Sequence, residues 1–294
     1  MVEELKNKAK ELLKAKEAEL IIGYKRAPDG ISATVAFIEK EDDVESLIWD
    51  AYCVYNLANY LKDFSGKRVA IVAKPCDIKS IKVLLQENQI KRENVFIIGV
   101  ECFGVIDEKR LSFTDKQTKE IGFAQKCTGC KPSVPDFYDI LIKEKEKTQK
   151  AQGIEQDEYE PIRKLEAKSI EERLKLWQEE FSRCIRCYAC RQICPMCYCP
   201  KCVASQTQPS WFSQAADLKG NFSWNVTRAM HLAARCIDCG ECERACPVGI
   251  PLRDINKKIE KDIKELFNYE AGSNIEDKPL LSGFDKNDPG DFIR

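Results

Sequence analysis

Two stretches of the chain carry the same cysteine pattern, C-x-x-C-x-x-C-x-x-x-C-P, at residues 184–195 and 236–247. Thiolate sulfur is a soft ligand that suits both iron-sulfur clusters and zinc. Three cysteines at three-residue spacing, followed by a fourth cysteine and a proline, are typical of proteins that hold two cubane clusters. The repeated pattern therefore predicts two 4Fe-4S clusters and, with them, electron transfer.

The predicted ligands are crossed between the motifs, because the fourth cysteine of each motif ligates the other cluster in two-cluster proteins. Cluster 1 is assigned Cys184, Cys187, Cys190 and Cys246, and cluster 2 is assigned Cys236, Cys239, Cys242 and Cys194. A pair of structural zinc sites is the alternative interpretation. Zinc sites usually take two C-x-x-C pairs or a mixture of cysteine and histidine, which is not the pattern here.

Three more cysteines follow the first motif closely, namely Cys197, Cys199 and Cys202. They have several possible roles: an additional metal site, a redox pair beside the clusters, or an alternative fourth ligand. A further interpretation is that they line a cluster without ligating it and tune its potential through hydrogen bonds to sulfur. The sequence leaves these roles open.

Changes in composition and in hydrophobic patterning along the chain predict two domains, a linker and a tail. Residues 1–142 alternate helical and strand patterns, 143–180 form a charged linker or helix, 181–255 hold the repeat, and 256–294 form a C-terminal helix and tail. A chain of 294 residues is long enough for two domains that each bury a core. We expect an α/β domain followed by a mostly α-helical two-cluster ferredoxin domain.

Two apolar strands joined by a helix dominate the first domain. Strands that are apolar on both faces indicate a parallel sheet covered by helices, and such sheets bind ligands beyond the carboxyl ends of their strands. The predicted elements are a helix at 3–18, strands at 20–24 and 31–38, a helix at 44–61, a strand at 68–73, a helix at 77–87 and a strand at 94–100.

The remaining cysteines fall where that rule predicts a site. Cys76 follows one apolar strand, at the start of the next helix, and Cys102 follows the neighbouring strand, while Cys127 and Cys130 supply a C-x-x-C pair. These four are predicted to ligate a third 4Fe-4S cluster, although a lone C-x-x-C also suits a redox disulfide or half a zinc site. Cys53 is interpreted as a buried, inert thiol inside the helix 44–61.

Composition limits the partners and the location. With 47 basic and 48 acidic residues there is no electrostatic case for nucleic acid or an acidic lipid surface. No apolar run approaches the ~18 residues of a membrane span. The first residues show no signal-peptide pattern. In a reducing compartment, abundant cysteines indicate metal binding rather than disulfides. We expect a cytoplasmic protein with protein partners. Arg183, Arg186 and Arg235 flank the loops, where they could raise cluster potentials or dock an acidic partner, and ordinary solvated surface charge is the favoured interpretation.

The residues also resemble known families. The repeat segment resembles the helical two-cluster ferredoxin domain of heterodisulfide reductase small subunits and of the iron-sulfur subunits of succinate dehydrogenases and fumarate reductases. The first domain is similar to the deazaflavin-coenzyme hydrogenase and formate dehydrogenase beta-subunit family, through Lys74-Pro75-Cys76-Asp77 and the run at 97–104. That family implies an α/β domain that carries a cubane cluster beside a flavin, FAD, in a larger anaerobic complex.

These observations predict an iron-sulfur electron-transfer subunit of a redox complex, which relays electrons through about three 4Fe-4S clusters to and from other subunits and carries out no substrate chemistry itself. One alternative is a flavin-containing subunit that itself oxidises or reduces a nicotinamide or deazaflavin coenzyme. Another is a zinc-stabilised scaffold without redox activity.

Overall fold

A computed structural model describes residues 1–107, 122–128, 130, 133–144, 157–211, 213–283 and 286. The chain divides into two compact units, 1–158 and 159–294, and the boundary falls within the charged stretch 143–180. In the described part of the chain, no helix has the length and apolar character that crossing a membrane requires.

The first unit is built on a five-stranded sheet in the order β2-β1-β3-β4-β5. Strand β2 is antiparallel to β1, and the other neighbouring pairs are parallel, so the predicted α/β class with a parallel-type sheet is confirmed. The strands are β1 (Leu20–Arg26), β2 (Ala33–Ile38), β3 (Val69–Ala73), β4 (Val95–Val100) and β5 (Ile140–Ile142).

Helices pack on this sheet, which removes their apolar faces from water. Helix α1 (Val2–Lys14) buries Leu5, Ala9 and Leu12, which lie at the i, i+4, i+7 spacing of one helical face. Helix α2 (Pro75–Gln86) is the crossover between β3 and β4, and it begins with a proline at a position where proline needs no hydrogen bond.

The register of β3 and β4 aligns their carboxyl ends. Val69 pairs with Val95 and Ala73 pairs with Gly99, so both strands end at the same edge of the sheet. Every residue of β3 is buried, as expected of a strand with helices over both faces. The segments that leave this edge carry Cys76 and Cys102.

The predicted helix at 44–61 is wrong. Two 3-10 helices, Glu41–Ser46 and Leu57–Phe64, flank an irregular segment instead. Polar side chains there bind the backbone and compete with helical hydrogen bonds: Asp50 accepts from the Tyr52 N–H at 2.8 Å, and Asn56 accepts from the Ala58 N–H at 3.2 Å. Cys53 is fully buried in this segment, and burial raises the pKa of its thiol to about 12.

A buried ion pair fixes the start of α2 to the rest of the unit. The Lys74 ammonium donates to the Tyr24 hydroxyl at 2.6 Å, to Asp77 Oδ2 at 3.1 Å and to the Tyr55 carbonyl. Asp77 also accepts from the Leu57 N–H at 2.8 Å. Lys74 and Asp77 are at most 1% exposed. These hydrogen bonds therefore offset the free-energy cost of removing two charges from water.

The second unit is mostly helical, as predicted. Its core contains Phe181, Ile250 and Leu252 together with the thiols of Cys190 and Cys242. The helices are α3 (Glu160–Glu166), α4 (Ile170–Ser182), α5 (Ala189–Gln192), α6 (Leu218–His231), α7 (Glu241–Arg244) and α8 (Leu252–Phe267).

Replacing Asp77 by asparagine tests the buried pair. Asp77→Asn keeps the shape of the side chain but leaves the Lys74 charge without its counter-ion, so we expect the free energy of unfolding of the first unit to fall by about 3–5 kcal/mol. Urea unfolding followed by circular dichroism measures the change. The control is Glu39→Gln, which breaks an exposed pair with Lys67 and should change stability by less than about 1 kcal/mol. Equal effects of the two substitutions would contradict the expectation.

Candidate iron-sulfur sites

The two cysteine motifs fold into loops with the same backbone. Arg186 and Tyr188 of the first loop have φ of 56° and 59°, and the equivalent Asp238 and Gly240 of the second have φ of 56° and 68°. Each loop leads into a four-residue helix, α5 or α7. Left-handed residues within such a turn gather backbone N–H groups into a concave nest, a feature of many iron-sulfur sites. The repeat in sequence is therefore also a repeat in structure.

The structure brings together the four cysteines predicted for cluster 1. Burial raises the pKa of the Cys190 thiol, Arg228 lowers it, and the negative charges of Cys184, Cys246 and Cys187 raise it further. Cys184 and Cys246 also pack against the same apolar cluster that contains Cys190. The first motif thus meets the last cysteine of the second motif, which is the crossed grouping.

The cysteines predicted for cluster 2 lie around one pocket. Burial raises the pKa of Cys242 to about 12, and that of Cys236 is raised by burial and by the charges of Asp238 and Cys242. Arg228 and Asn256 line the same pocket. Its cysteine lining consists of Cys194 from the first motif and Cys236, Cys239 and Cys242 from the second.

The character of these side chains fits iron-sulfur clusters. The donors are thiols, and N–H groups point at their sulfur atoms: the Ile250 N–H lies 3.4 Å from Cys246 Sγ, and Asn256 Nδ2 lies 3.8 Å from Cys242 Sγ. Such bonds stabilise the thiolate and are one determinant of cluster potential. Among the described residues, no three His, Cys, Asp or Glu side chains are arranged to hold a single metal ion. The ligand assignment itself stays a prediction.

Helix α6 presents a buried polar stripe to the loops. Asn221, Asn225 and Arg228 occupy i, i+4 and i+7, where apolar residues are usual, and all are at most 5% exposed. Asn221 Nδ2 donates to the Cys184 carbonyl at 2.8 Å, and Arg228 Nη2 donates to the Cys190 carbonyl at 2.9 Å. Sequence reasoning missed this stripe. The sequence pattern that could have revealed it is a set of polar residues at the i, i+4, i+7 positions of one helical face, in the helix before the second motif.

The interpretation of Arg186 as solvated surface charge is wrong. Its side chain is 7% exposed and donates to the Gly220 carbonyl at 2.8 Å and the Ser213 carbonyl at 2.9 Å. The guanidinium also lies over the Trp224 ring, 5.8 Å from its centroid. These contacts tie the first loop to α6 and the segment before it. Arg183 is exposed, as predicted.

The equivalent position of the second loop holds the opposite charge. Asp238 accepts two hydrogen bonds of 2.7 Å from Arg253, and Lys257 lies 3.2 Å away. Both basic residues belong to α8, so this ion-pair cluster fixes the second loop to that helix. Bidentate pairing with arginine is the strongest geometry for such a contact.

The first unit assembles most of the third predicted site at the edge of the sheet. Burial raises the pKa of the Cys76 thiol, with a smaller contribution from the charge of Cys102. Burial likewise raises the pKa of Cys102, to which Cys127 adds. The Val105 N–H lies 3.4 Å from Cys127 Sγ. Three of the four predicted sulfur atoms are therefore close enough for their charges to interact.

The fourth predicted ligand, Cys130, is exposed and lies on the same turn as Cys127, to whose carbonyl its N–H donates at 3.3 Å. Residue 129, between them, is outside the described residues. The assignment of the third cluster to these four cysteines stays a prediction.

The three cysteines after the first motif have different surroundings. The Cys197 thiol is hydrogen-bonded to Cys194, and this bond, followed by burial, raises its pKa. Cys199 is exposed, and Cys202 is partly buried at the start of the 3-10 helix Val203–Ser205. The proposed extra site at Cys197, Cys199 and Cys202 is not tested by these positions and stays a prediction.

Crossed ligation can be tested by pairing substitutions across the motifs. Cys194→Ser should abolish the same paramagnetic resonance signal as Cys239→Ser, and Cys246→Ser the same signal as Cys187→Ser, because each pair serves one cluster. Each variant should also lose about four irons per chain. The buried Cys53 provides the control, and Cys53→Ala should retain every signal. If Cys194→Ser instead matched Cys187→Ser, each motif would hold its own cluster and the crossed assignment would be wrong.

Comparison with known proteins supports the metal chemistry. Residues 183–251 match the family described as "4Fe-4S dicluster domain". This span contains both motifs, and the predicted pair of 4Fe-4S clusters is confirmed at the level of the domain.

Two curated proteins are similar over nearly the whole chain. One is the "F420-dependent formate dehydrogenase subunit beta" of Methanocaldococcus jannaschii, 24% identical over 355 aligned positions that cover 93% of this chain and 92% of the relative. The other is the "F420-dependent formate dehydrogenase 1 subunit beta" of Methanococcus maripaludis, 23% identical over 349 positions that cover 90% and 88%. The resemblance predicted from sequence is thus confirmed: the chain carries a 4Fe-4S dicluster domain and is similar to beta subunits of formate dehydrogenases.

Proposed function

We propose that this chain is an iron-sulfur electron-transfer subunit that relays electrons through three 4Fe-4S clusters within a larger redox complex. The observation that carries the proposal is that each motif lies beside the last cysteine of the other motif. Cys190 interacts with Cys184, Cys187 and Cys246, whereas the other set shares a single pocket. This grouping is what two clusters with exchanged fourth ligands require.

When bound, such clusters accept and donate single electrons, at potentials set by charge, hydrogen bonds and exposure. Residues of this chain provide the charge, the hydrogen bonds and the burial that would determine these potentials. Cys190, Cys194 and Cys242 are at most 9% exposed, so the thiols sit in surroundings with little water. The backbone nests, the amide of Asn256 and the guanidinium of Arg228 add positive charge or hydrogen-bond donors beside them.

The partners are proposed from the relatives. Both similar proteins are named as beta subunits of formate dehydrogenases, which supports a complex in which another subunit carries out the substrate reaction. We propose that electrons from such a subunit pass through this chain. The many cysteines, read as metal ligands, support a reducing and therefore cytoplasmic compartment.

A second function is favoured by the names of the relatives. Both specify F420, a deazaflavin coenzyme, so the alternative is a subunit that exchanges electrons with this coenzyme itself through a bound flavin, FAD. The carboxyl edge of β3 and β4 supports it, because ligands of open α/β sheets bind at such an edge.

Cofactor content separates the two functions. The relay predicts about twelve irons and twelve sulfides per chain in anaerobically purified protein, with no flavin. One flavin per chain, together with bleaching of its absorption on addition of reduced F420 to the isolated chain, would establish the alternative. Zinc in place of iron would contradict both functions.

The third cluster has its own test. Cys76→Ser should lower the iron content by about four per chain and remove one resonance signal of the reduced protein, because it deletes a ligand in the first unit. The matched control is Cys53→Ser, which changes a buried cysteine of the same unit that lies outside the predicted ligand sets. Full iron content in Cys76→Ser would end the proposal of a third cluster.

A further inference from the structure

We propose that Arg228 is a positioning residue shared by both ferredoxin-type sites, whose buried positive charge raises the reduction potentials of the two clusters together. The inference rests on the proposed function, since it takes the two crossed thiol sets to be cluster sites. It adds a residue outside both cysteine motifs that governs how readily both sites accept an electron.

Arg228 reaches both sites from one position on α6. Its side chain is 5% exposed, and its Nη2 donates to the carbonyl of Cys190, a predicted ligand of cluster 1, at 2.9 Å. The same residue lines the pocket of the cluster 2 cysteines, together with Cys194 of one motif and Cys242 of the other. A side chain in contact with both sets is placed to act on both.

The charge of Arg228 is compensated by sulfur and not by a carboxylate. Among the described residues no Asp or Glu lies within ion-pair distance of it. Burial disfavours its cationic form, and the neighbouring groups whose charge would favour that form are the sulfur atoms of Cys194, Cys242, Cys197 and Cys190. Among the described residues, the buried Nε of Arg228 has no hydrogen-bond partner. An unpaired buried cation is costly, so this arrangement is stable only when the surrounding sulfur carries negative charge.

The basic residues of α8 show the contrast. Arg253 pairs with Asp238 at 2.7 Å, and Lys257 lies 2.9 Å from Glu260, so each has a carboxylate partner. Their positive charges are largely cancelled by acidic neighbours. The charge of Arg228 is directed at the thiol sets instead.

A positive charge in a weakly polar interior favours the reduced form of a neighbouring cluster, because reduction adds a negative charge. Since Arg228 adjoins both sets, the effect applies to both potentials.

The test compares two substitutions in the full chain, with potentials measured by paramagnetic resonance during anaerobic titration with dithionite. Arg228→Met keeps most of the length of the side chain but removes the charge, and Arg228→Lys keeps the charge but loses the planar donor group. Arg228→Met should lower the equilibrium constant for reduction of both clusters at least tenfold, which is 59 mV for a one-electron couple. Arg228→Lys should stay within about threefold of the unchanged chain.

The control is Lys219→Gln, which removes one positive charge from an exposed position on the same helix and should leave both potentials unchanged. Iron and sulfide are assayed in every variant. Arg228→Met with full iron and unchanged potentials would overturn the inference, and so would a shift confined to one cluster. If Arg228→Met loses iron, Arg228→Lys decides: potentials near those of the unchanged chain support the inference, and a tenfold drop overturns it. An unchanged chain without iron would instead refute the proposed function.

Discussion

The helical unit depends on one constraint: eight thiols must be held close together in an interior that disfavours negative charge. Burial raises the pKa of Cys190, Cys236 and Cys242, so these sulfur atoms are protonated unless a metal takes the place of the proton. Neighbouring groups offset this cost, because hydrogen-bond donors and positive charges stabilise negative charge on sulfur. Backbone N–H groups, the polar stripe of α6 and the basic residues of α8 all face the loops.

Much of this arrangement was predictable because the cysteine spacing carries it. The crossed grouping follows from the number of ligands that one loop can offer, and the edge location of Cys76 follows from the aligned ends of parallel strands. The sheet strands and the crossover helix also followed from continuous apolar runs. These features depend on patterns that are local in sequence.

What the sequence did not reveal depends on distant partners. The segment around Cys53 has helical spacing, but Asp50, Asn56 and Asp77 bind its backbone and prevent a helix. Arg186 looks like a surface arginine until the carbonyls of Gly220 and Ser213 are brought to it by the fold. The roles of such residues are set by groups far along the chain, which no local pattern encodes.

The left-handed backbone of the two loops has a consequence for how the unit comes to be folded. Three of the four left-handed positions hold Arg186, Tyr188 and Asp238, for which this conformation costs about 1–2 kcal/mol each relative to the right-handed one. The hydrogen bonds of Arg186 and the ion pairs of Asp238 offset part of that strain, and clusters bound by these loops would offset more of it. Cluster binding by these loops would therefore favour the folded form of the helical unit, and the supply of iron and sulfide to the newly made chain would then affect how much of it reaches the native state.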